Sequence, residues 1–270
     1  MMTQLLTLDN RTYRHMPGLS GSELKHLAIS PAHLWAARRA PRTESDLMRI
    51  GTQIHAMALE GVDVFTSIYR EATQCAAEFK SGPRKGQLCG KFGCGTHGDG
   101  ISAIEYTPEE LAQICHVSEA IRSHPHAKRL LAVGKPEVCI IGHNRKGRLD
   151  WLHPNYIVDL KTTGKNATEW EPGIGELLQA GAYLCLAEDC PEVGPRCWAW
   201  IIAEQDAPYA VRVIVLSPDD QAAAQSAARR LQALYDECIH AENWPSLEVP
   251  ENPEFADIKP RLKTQLQGIR

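Results

Sequence analysis

With 270 residues the chain can bury one good core, and 43% hydrophobic with 23% charged residues is an ordinary globular balance. The net charge of −4 excludes a surface that is basic overall, and no run of about 18 or more apolar residues reads as a membrane-spanning helix. The opening MMTQLLTLDNRTYRHM lacks the apolar stretch and small-residue cleavage site of a secretory leader, so a cytoplasmic protein with no membrane contact is expected.

Ser20-Gly-Ser-Glu23 has capping-box spacing ahead of Leu24, Leu27 and Ala28 at helical intervals. Ser30-Pro31 starts a second helix through Ala32–Arg39, serine suiting the N-cap and proline the first turn. A third runs from Ser45 to Leu59, with Leu47, Ile50, Ile54, Ala58 and Leu59 near one face. Residues 80–100 change character: seven glycines lie between Gly82 and Gly100, poor material for a helix or a strand. Thr107-Pro-Glu-Glu110 caps the next helix, which buries Leu111, Ile114, Cys115 and Ile121 and ends at His124-Pro125.

From Glu137 the pattern turns to strands: Val138–Gly142, Arg148–Leu152 and Tyr156–Lys161. The turn-rich Asn144-Arg-Lys-Gly147 and His153-Pro-Asn155 separate them, which predicts an antiparallel meander. A helix from Gly175 to Ala187, strands at Cys197–Ala203 and Tyr209–Leu216, and a helix capped by Ser217-Pro-Asp-Asp220 and reaching Ala241 follow. The expected class is α/β, a central mixed sheet with an antiparallel meander flanked by helices, behind an N-terminal helical part. One unit spans 1–244, divided into the helical part (17–70), a Gly/Cys-rich insertion (71–100) and a core (105–241). The tail 245–270, with Pro245, Pro250, Pro253 and Pro260, reads as extended or disordered.

The informative segment is Gly147-Arg-Leu-Asp150 followed by Ile157-Val-Asp159-Leu-Lys161. Asp159 and Lys161 are two apart on a strand, so both side chains leave one face. Asp150, on the preceding strand, comes beside Asp159 across a short turn. Adjacent carboxylates repel and suit a hard divalent cation, which prefers oxygen. A lysine there can orient or help deprotonate a water, or stabilise charge developing on phosphate. Asp-x-Lys alone is commonplace on exposed strands, so its companions decide the matter. Gln179-Ala-Gly-Ala-Tyr183 puts Gln and Tyr on one helical face with small residues between them, and Gly51-Thr-Gln-Ile-His55 puts a histidine on an amphipathic helix. Glu137, at the start of the meander, is a further candidate acid.

A histidine on an N-terminal helix, then Gly-x-x-Asp, Asp-x-Lys and Gln-x-x-x-Tyr in that order, resembles the RecB-type branch of the PD-(D/E)xK nuclease superfamily. Leu19-Ser-Gly-Ser-Glu-Leu-Lys25, Ser30-Pro-Ala-His33 and Gly51-Thr-Gln-Ile-His55 more narrowly resemble the exonuclease VIII (RecE C-terminal) type nucleases of phages and prophages. The likeness covers residues 17–240 apart from the insertion. It implies a restriction-endonuclease-like core in which Asp150 and Asp159 bind Mg²⁺ (or Mn²⁺) and His55 completes the metal shell. Lys161 would act on the attacking water, and Gln179 and Tyr183 would position the DNA strand or brace the site. It also implies an exonuclease of double-stranded DNA working beside a single-strand annealing protein in recombination, with homo-oligomers known in the group. The same site would serve an endonuclease acting on branched or damaged DNA. A non-catalytic DNA-binding or assembly factor would be favoured by loss of an acid or the lysine, and none is missing.

Nine cysteines are scattered along the chain. Cys115, Cys139, Cys185, Cys190, Cys197 and Cys238 fall singly in helix or strand patterns and read as packing. Cys75, Cys89, Cys94 and His97 instead lie in the glycine-rich insertion as C-x13-C-x4-C-x2-H. Four soft ligands in a segment with little else to order it suggest tetrahedral Zn²⁺; an iron–sulfur cluster would need His in place of one Cys. Positive charge gathers in three strips: Arg38, Arg39 and Arg42; Lys80, Arg84, Lys85 and Lys91; and Arg145, Lys146 and Arg148. Each could meet phosphates, the second from beside the zinc.

Overall fold

The apolar runs of the C-terminal half assemble into a seven-stranded sheet, seen here in a computed structural model that describes residues 3–41, 45–92, 94 and 102–246. A strand β1 (Gln4–Leu6) and helix α1 (Asn10–His15) precede β2 (Leu19–Ser20) and α2 (Leu24–Leu27). Helices α3 (Pro31–Arg39), α4 (Asp46–His55) and α5 (Val62–Ile68) follow. A small parallel pair, β3 (Arg70–Glu71) and β4 (Glu105–Tyr106), brackets the glycine-rich insertion. Then come α6 (Pro108–Ser123), α7 (Pro125–Leu131), and the long strands β5 (Lys135–Gly142), β6 (Arg145–Leu152) and β7 (Tyr156–Thr163). The chain continues through α8 (Ile174–Glu188), β8 (Cys197–Glu204), β9 (Val211–Val215) and α9 (Pro218–Ala241).

The strand order is β1-β5-β6-β7-β8-β9, with β2 lying parallel on β6. The β5-β6-β7 meander is antiparallel as expected, β8 joins β7 in parallel after the α8 crossover, and β9 turns back antiparallel. The sheet is therefore mixed, and helices cover both faces. On one side Val158, Leu160, Ala199, Ile201 and Ala203 pack against Ile54, Phe65, Ile114 and Ile121. On the other, Ile157, Trp198, Trp200 and Ile202 pack against Ala180, Tyr183 and Leu184 of α8. Strand β8 thus buries successive residues on opposite faces, which is why its sequence reads as a continuous apolar run. Ser30, Ser45, Thr107 and Ser217 each accept from the backbone N–H three residues on, a cap contributing about 1 kcal/mol apiece.

The structure departs from the sequence reading at identifiable places. The β5–β6 turn is only His143-Asn144, with Asn144 at φ 53°, a left-handed conformation asparagine tolerates; Arg145, Lys146 and Gly147 belong to β6 rather than to a turn. Lys146 reads as a surface charge, yet it is buried: it is 8% exposed and donates to the carbonyl oxygens of Tyr13 and Arg14 at 3.2 Å each, and to that of Met16. The third helix ends its regular winding at His55 and continues as a π-turn, Ala56–Glu60. β1, α1, α5 and α7 are too short to show a period, and the sequence pattern does not mark them. Cys115 and Cys197 are exposed, so packing does not account for them, whereas Cys139, Cys185, Cys190 and Cys238 are buried. Two of the basic strips are largely taken up internally. Arg38 pairs with Glu23 and donates to the Tyr235 hydroxyl, Arg39 lies over the Trp35 ring at 3.2 Å, Arg145 pairs with Asp189, and Arg148 pairs with Glu137. Arg42, His97 and the tail from residue 247 lie outside the described residues.

Candidate active site

Register explains how three acids meet. β5 and β6 pair as Pro136↔Trp151 and Val138↔Leu149, which sets Glu137 level with Asp150. β6 and β7 pair as Leu152↔Ile157 and Trp151↔Val158, and there the ladder stops, so Asp150 and Asp159 stand at the same level just past the last pair. In the gap between the parting strands the Leu160 N–H donates to Asp150 Oδ2 at 2.9 Å, a side chain standing in for the lost backbone acceptor. Glu137 has φ 54°, unusual for a non-glycine residue in a strand and of the kind that persists where function fixes it.

His55 arrives from the helical side. Gly51, one turn before it on α4, lies so close to β7 that a Cβ there would sit 2.7 Å from Thr162 Oγ1. This contact seats α4 on β7 and brings His55 Nδ1 to 3.6 Å from Asp150 Oδ2. The ligand atoms of His55, Glu137 and Asp150 all lie within 4.8 Å of one another. The π-turn that follows His55 delivers Glu60 close enough to act on Glu137. Such turns interrupt the normal helical phase and occur often at functional sites. Arg148 Nε reaches Glu137 Oε2 at 2.6 Å.

Asp159 stands beside this group and is itself held. Lys161 Nζ lies 2.8 Å from Asp159 Oδ2, Gln179 Nε2 donates to Asp159 Oδ1 at 3.0 Å, and Lys161 Nζ donates to Gln179 Oε1 at 3.2 Å. The three side chains form a closed ring of contacts. Asp159 is 3% exposed, while the Lys161 side chain keeps 27% exposure. Tyr183 lies beneath the site, 5% exposed, with its ring between two glycines: a Cβ at Gly21 would be 2.7 Å from Tyr183 Cε1, and one at Gly147 would be 3.0 Å from the same ring. Of the two roles expected for Tyr183, contact with a DNA strand does not suit so buried a ring, and bracing does.

Burial raises the acids first of all. Asp159 is pushed up to about 6 and Glu137 to about 8, each also repelled by Asp150, and Asp150 is raised as well. Burial holds His55 down, to about 4, so its imidazole is neutral at pH 7 and in its metal-ligating form. Burial pulls Lys161 down too, but Asp159 and Asp150 outweigh it, and the group stays an ammonium. With every acid ionised, Glu60, Glu137, Asp150 and Asp159 face Arg148 and Lys161 among the described residues, an excess of two negative charges. Three oxygen donors and one neutral imidazole carrying that excess fit Mg²⁺ or Mn²⁺ better than a soft ion.

The structure thus brings His55, Asp150, Asp159, Lys161 and Gln179 into one place. It sets Glu137, the further candidate acid, at the centre, and adds Glu60 and Arg148, which the sequence pattern does not assign to the site. Cys75, Cys89 and Cys94 form a separate cluster within the insertion, and His97 lies outside the described residues.

Comparison with known proteins follows the same line. The sequence profile of a family described as PDDEXK-like domain of unknown function (DUF3799) matches residues 20–251. No protein among the curated sequences matches. Among solved structures, the chain resembles one described as a "putative exonuclease" from Eubacterium rectale, with a TM-score of 0.56 over 98% of this chain and 100% of that one. At 12% sequence identity this likeness speaks to the fold.

Proposed function

Because the chain belongs to the PDDEXK-like domain family whose profile spans residues 20–251, we propose that it is a divalent-metal-dependent exonuclease hydrolysing phosphodiester bonds of double-stranded DNA. The observation that carries this reading is the cluster of His55, Glu137 and Asp150 within 4.8 Å, set beside the Asp159–Lys161 pair. His55, Glu137, Asp150 and Asp159 would hold Mg²⁺ or Mn²⁺, which when bound supplies a Lewis acid for phosphate and an acidified water.

The chain's own residues do the rest. Lys161, a cation anchored at 2.8 Å by Asp159 and 27% exposed, would orient an attacking water or neutralise charge growing on a phosphate oxygen. Gln179 holds both partners of that pair, and Arg148 keeps Glu137 in place through its contact at 2.6 Å. The sequence likeness to exonuclease VIII type nucleases and the name of the structural neighbour favour attack from DNA ends. The same likeness supports work beside a single-strand annealing protein in phage-type recombination, within a homo-oligomer. Among the described residues no helix is long and apolar enough to cross a membrane.

The test compares linear with closed-circular duplex DNA, each with Mg²⁺ or EDTA, using the wild-type protein and Lys161→Ala. Metal-dependent loss of the linear DNA alone, abolished by the substitution, is expected. Cutting of the circle would replace exonuclease by endonuclease action. Folded protein that degrades neither DNA would overturn the catalytic reading and favour a DNA-binding factor.

A further inference from the structure

The described residues of the insertion between β3 and β4 contribute nothing to the acidic site, yet they have an organisation of their own. Its chain runs out and back: Cys75 N–H donates to the Lys91 carbonyl at 3.0 Å, Cys89 N–H to that of Ala77 at 2.8 Å, and Phe79 N–H to that of Gln87 at 3.0 Å. Antiparallel bridges join Gln74 with Phe92 and Glu78 with Leu88. From residue 73 to residue 92, Cys89 is the one buried side chain, and Leu88 is 59% exposed. A lone two-stranded ribbon is at best marginally stable in water, and this one has no apolar core to hold it.

What does gather inside the ribbon is sulfur. The thiols of Cys75, Cys89 and Cys94 lie within 4.8 Å of one another, and Cys89 Sγ is 3.4 Å from Cys94 Sγ. A disulfide needs about 2.05 Å between sulfurs. Thiolates sharing a tetrahedral zinc at about 2.3 Å from each are about 3.8 Å apart, which is the spacing these thiols approach.

We propose that Cys75, Cys89 and Cys94 bind a structural Zn²⁺ that orders the inserted ribbon, a site separate from the nuclease centre. The three thiols lose their protons to solvent on binding, leaving a centre of net charge −1 in which nothing is oxidised or reduced. The exposed Lys80, Arg84, Lys85 and Lys91 surround it in the chain and balance that charge, with Arg84 lying 4.3 Å over the Phe79 ring. The ribbon is rooted on the helix that carries His55, because Arg49 and Gln53 of α4 both donate to the Glu105 carbonyl at 2.9 Å. Ordering the ribbon therefore fixes a cationic arm relative to α4.

The test measures metal in the full chain, purified with no added zinc, by plasma mass spectrometry. One zinc per chain is expected, falling at least about tenfold in Cys89→Ser/Cys94→Ser and unchanged in Asp150→Asn, which separates this site from the acidic one. Titrating the wild type with a mercurial should release its zinc as three thiols beyond the exposed Cys115 and Cys197 are modified. Replacing zinc by Co²⁺ in the wild type should give thiolate-to-cobalt charge-transfer absorption, a readout that does not depend on the variant folding. Trypsin should cut within residues 80–91 only after zinc is removed. Zinc retained in the double variant, iron with inorganic sulfide, a Cys89–Cys94 disulfide in the non-reduced protein, or absence of any metal would each overturn the proposal.

Discussion

Replacing Glu137 by glutamine keeps its shape and removes one charge from the acidic site, so it isolates the electrostatic strain there. In the metal-free fold Glu137 titrates at about 8, against 4.5 in an unfolded chain; for Asp159 the two values are about 6 and 3.8, and for His55 about 4 and 6.5. Below pH 6.5 two effects oppose each other. An unfolded chain gains a proton on His55, which costs the fold stability as pH falls, while Asp159 raised in the fold costs it stability as pH rises. At pH 6.5 the Asp159 effect is nearly complete and the His55 effect half complete, while Glu137 still holds a proton in the folded chain that the unfolded chain has lost. Stability is therefore expected to decline with rising pH, by about 1–1.5 kcal/mol between pH 6.5 and 8 at roughly 1.4 kcal/mol per pH unit for a full proton, since Glu137 is half titrated by pH 8 and the His55 effect offsets part of the loss. Urea unfolding followed by tryptophan fluorescence, in EDTA at those two pH values, measures this directly. Wild type should lose about 1–1.5 kcal/mol and Glu137→Gln well under half of that, with the variant the more stable at pH 8. Millimolar Mg²⁺ should restore wild type more than the variant, since the ion replaces the missing positive charge. An unchanged pH slope in Glu137→Gln, or a variant less stable than wild type at pH 8 in EDTA, would refute the reasoning.

Gln179→Leu removes the group that holds both Asp159 and Lys161, and DNA hydrolysis should fall about 10²-fold in kcat with KM little changed; equal loss in both would mean that Gln179 acts on DNA binding instead. Gly21→Ala drives a methyl group to 2.7 Å from a tyrosine ring that Gly147 blocks from retreating, so thermal unfolding should show about 1–3 kcal/mol of destabilisation. An unchanged melting temperature would mean the ring moves freely. Arg49→Met breaks the buried pair with Glu110 and should cost about 3–5 kcal/mol, much of it recovered in Arg49→Met/Glu110→Leu, where no buried charge is left alone. No recovery in the double variant would show that the bonds from Arg49 to Glu105, rather than the charge pair, hold this corner.

The candidate site's skeleton is legible in the sequence because each motif carries a local geometric rule. Asp159 and Lys161 share a strand face, Gln179 and Tyr183 share a helix face, and Asp150 follows from a short turn. What escapes such rules depends on tertiary placement. Glu60 enters only because a π-turn shifts the helix phase after His55, and no composition signal marks a π-turn. Arg148 reads as part of a phosphate-facing strip, since charge in sequence does not reveal that Glu137 waits across the β5–β6 ladder. Gly21 reads as part of a helix cap and Gly147 as part of a turn, whereas their use is to let an aromatic ring fit between two backbones. The start of β6 reads short for a related reason: nothing in the sequence separates the turn chemistry of Asn144 from the charged residues that follow it.

The buried ammonium of Lys146 bears on how the protein tolerates trimming. Its acceptors are main-chain oxygens of Tyr13, Arg14 and Met16, which no side-chain substitution removes. Only loss or displacement of that segment can take them away. A chain cut behind Met16 would lose all three acceptors and β1 together, weakening the hold on a buried lysine and leaving the edge of β5 bare. The leading residues thus serve as a stopper for the sheet. A protease that nicks just after α1 would loosen the fold without touching any residue of the acidic site.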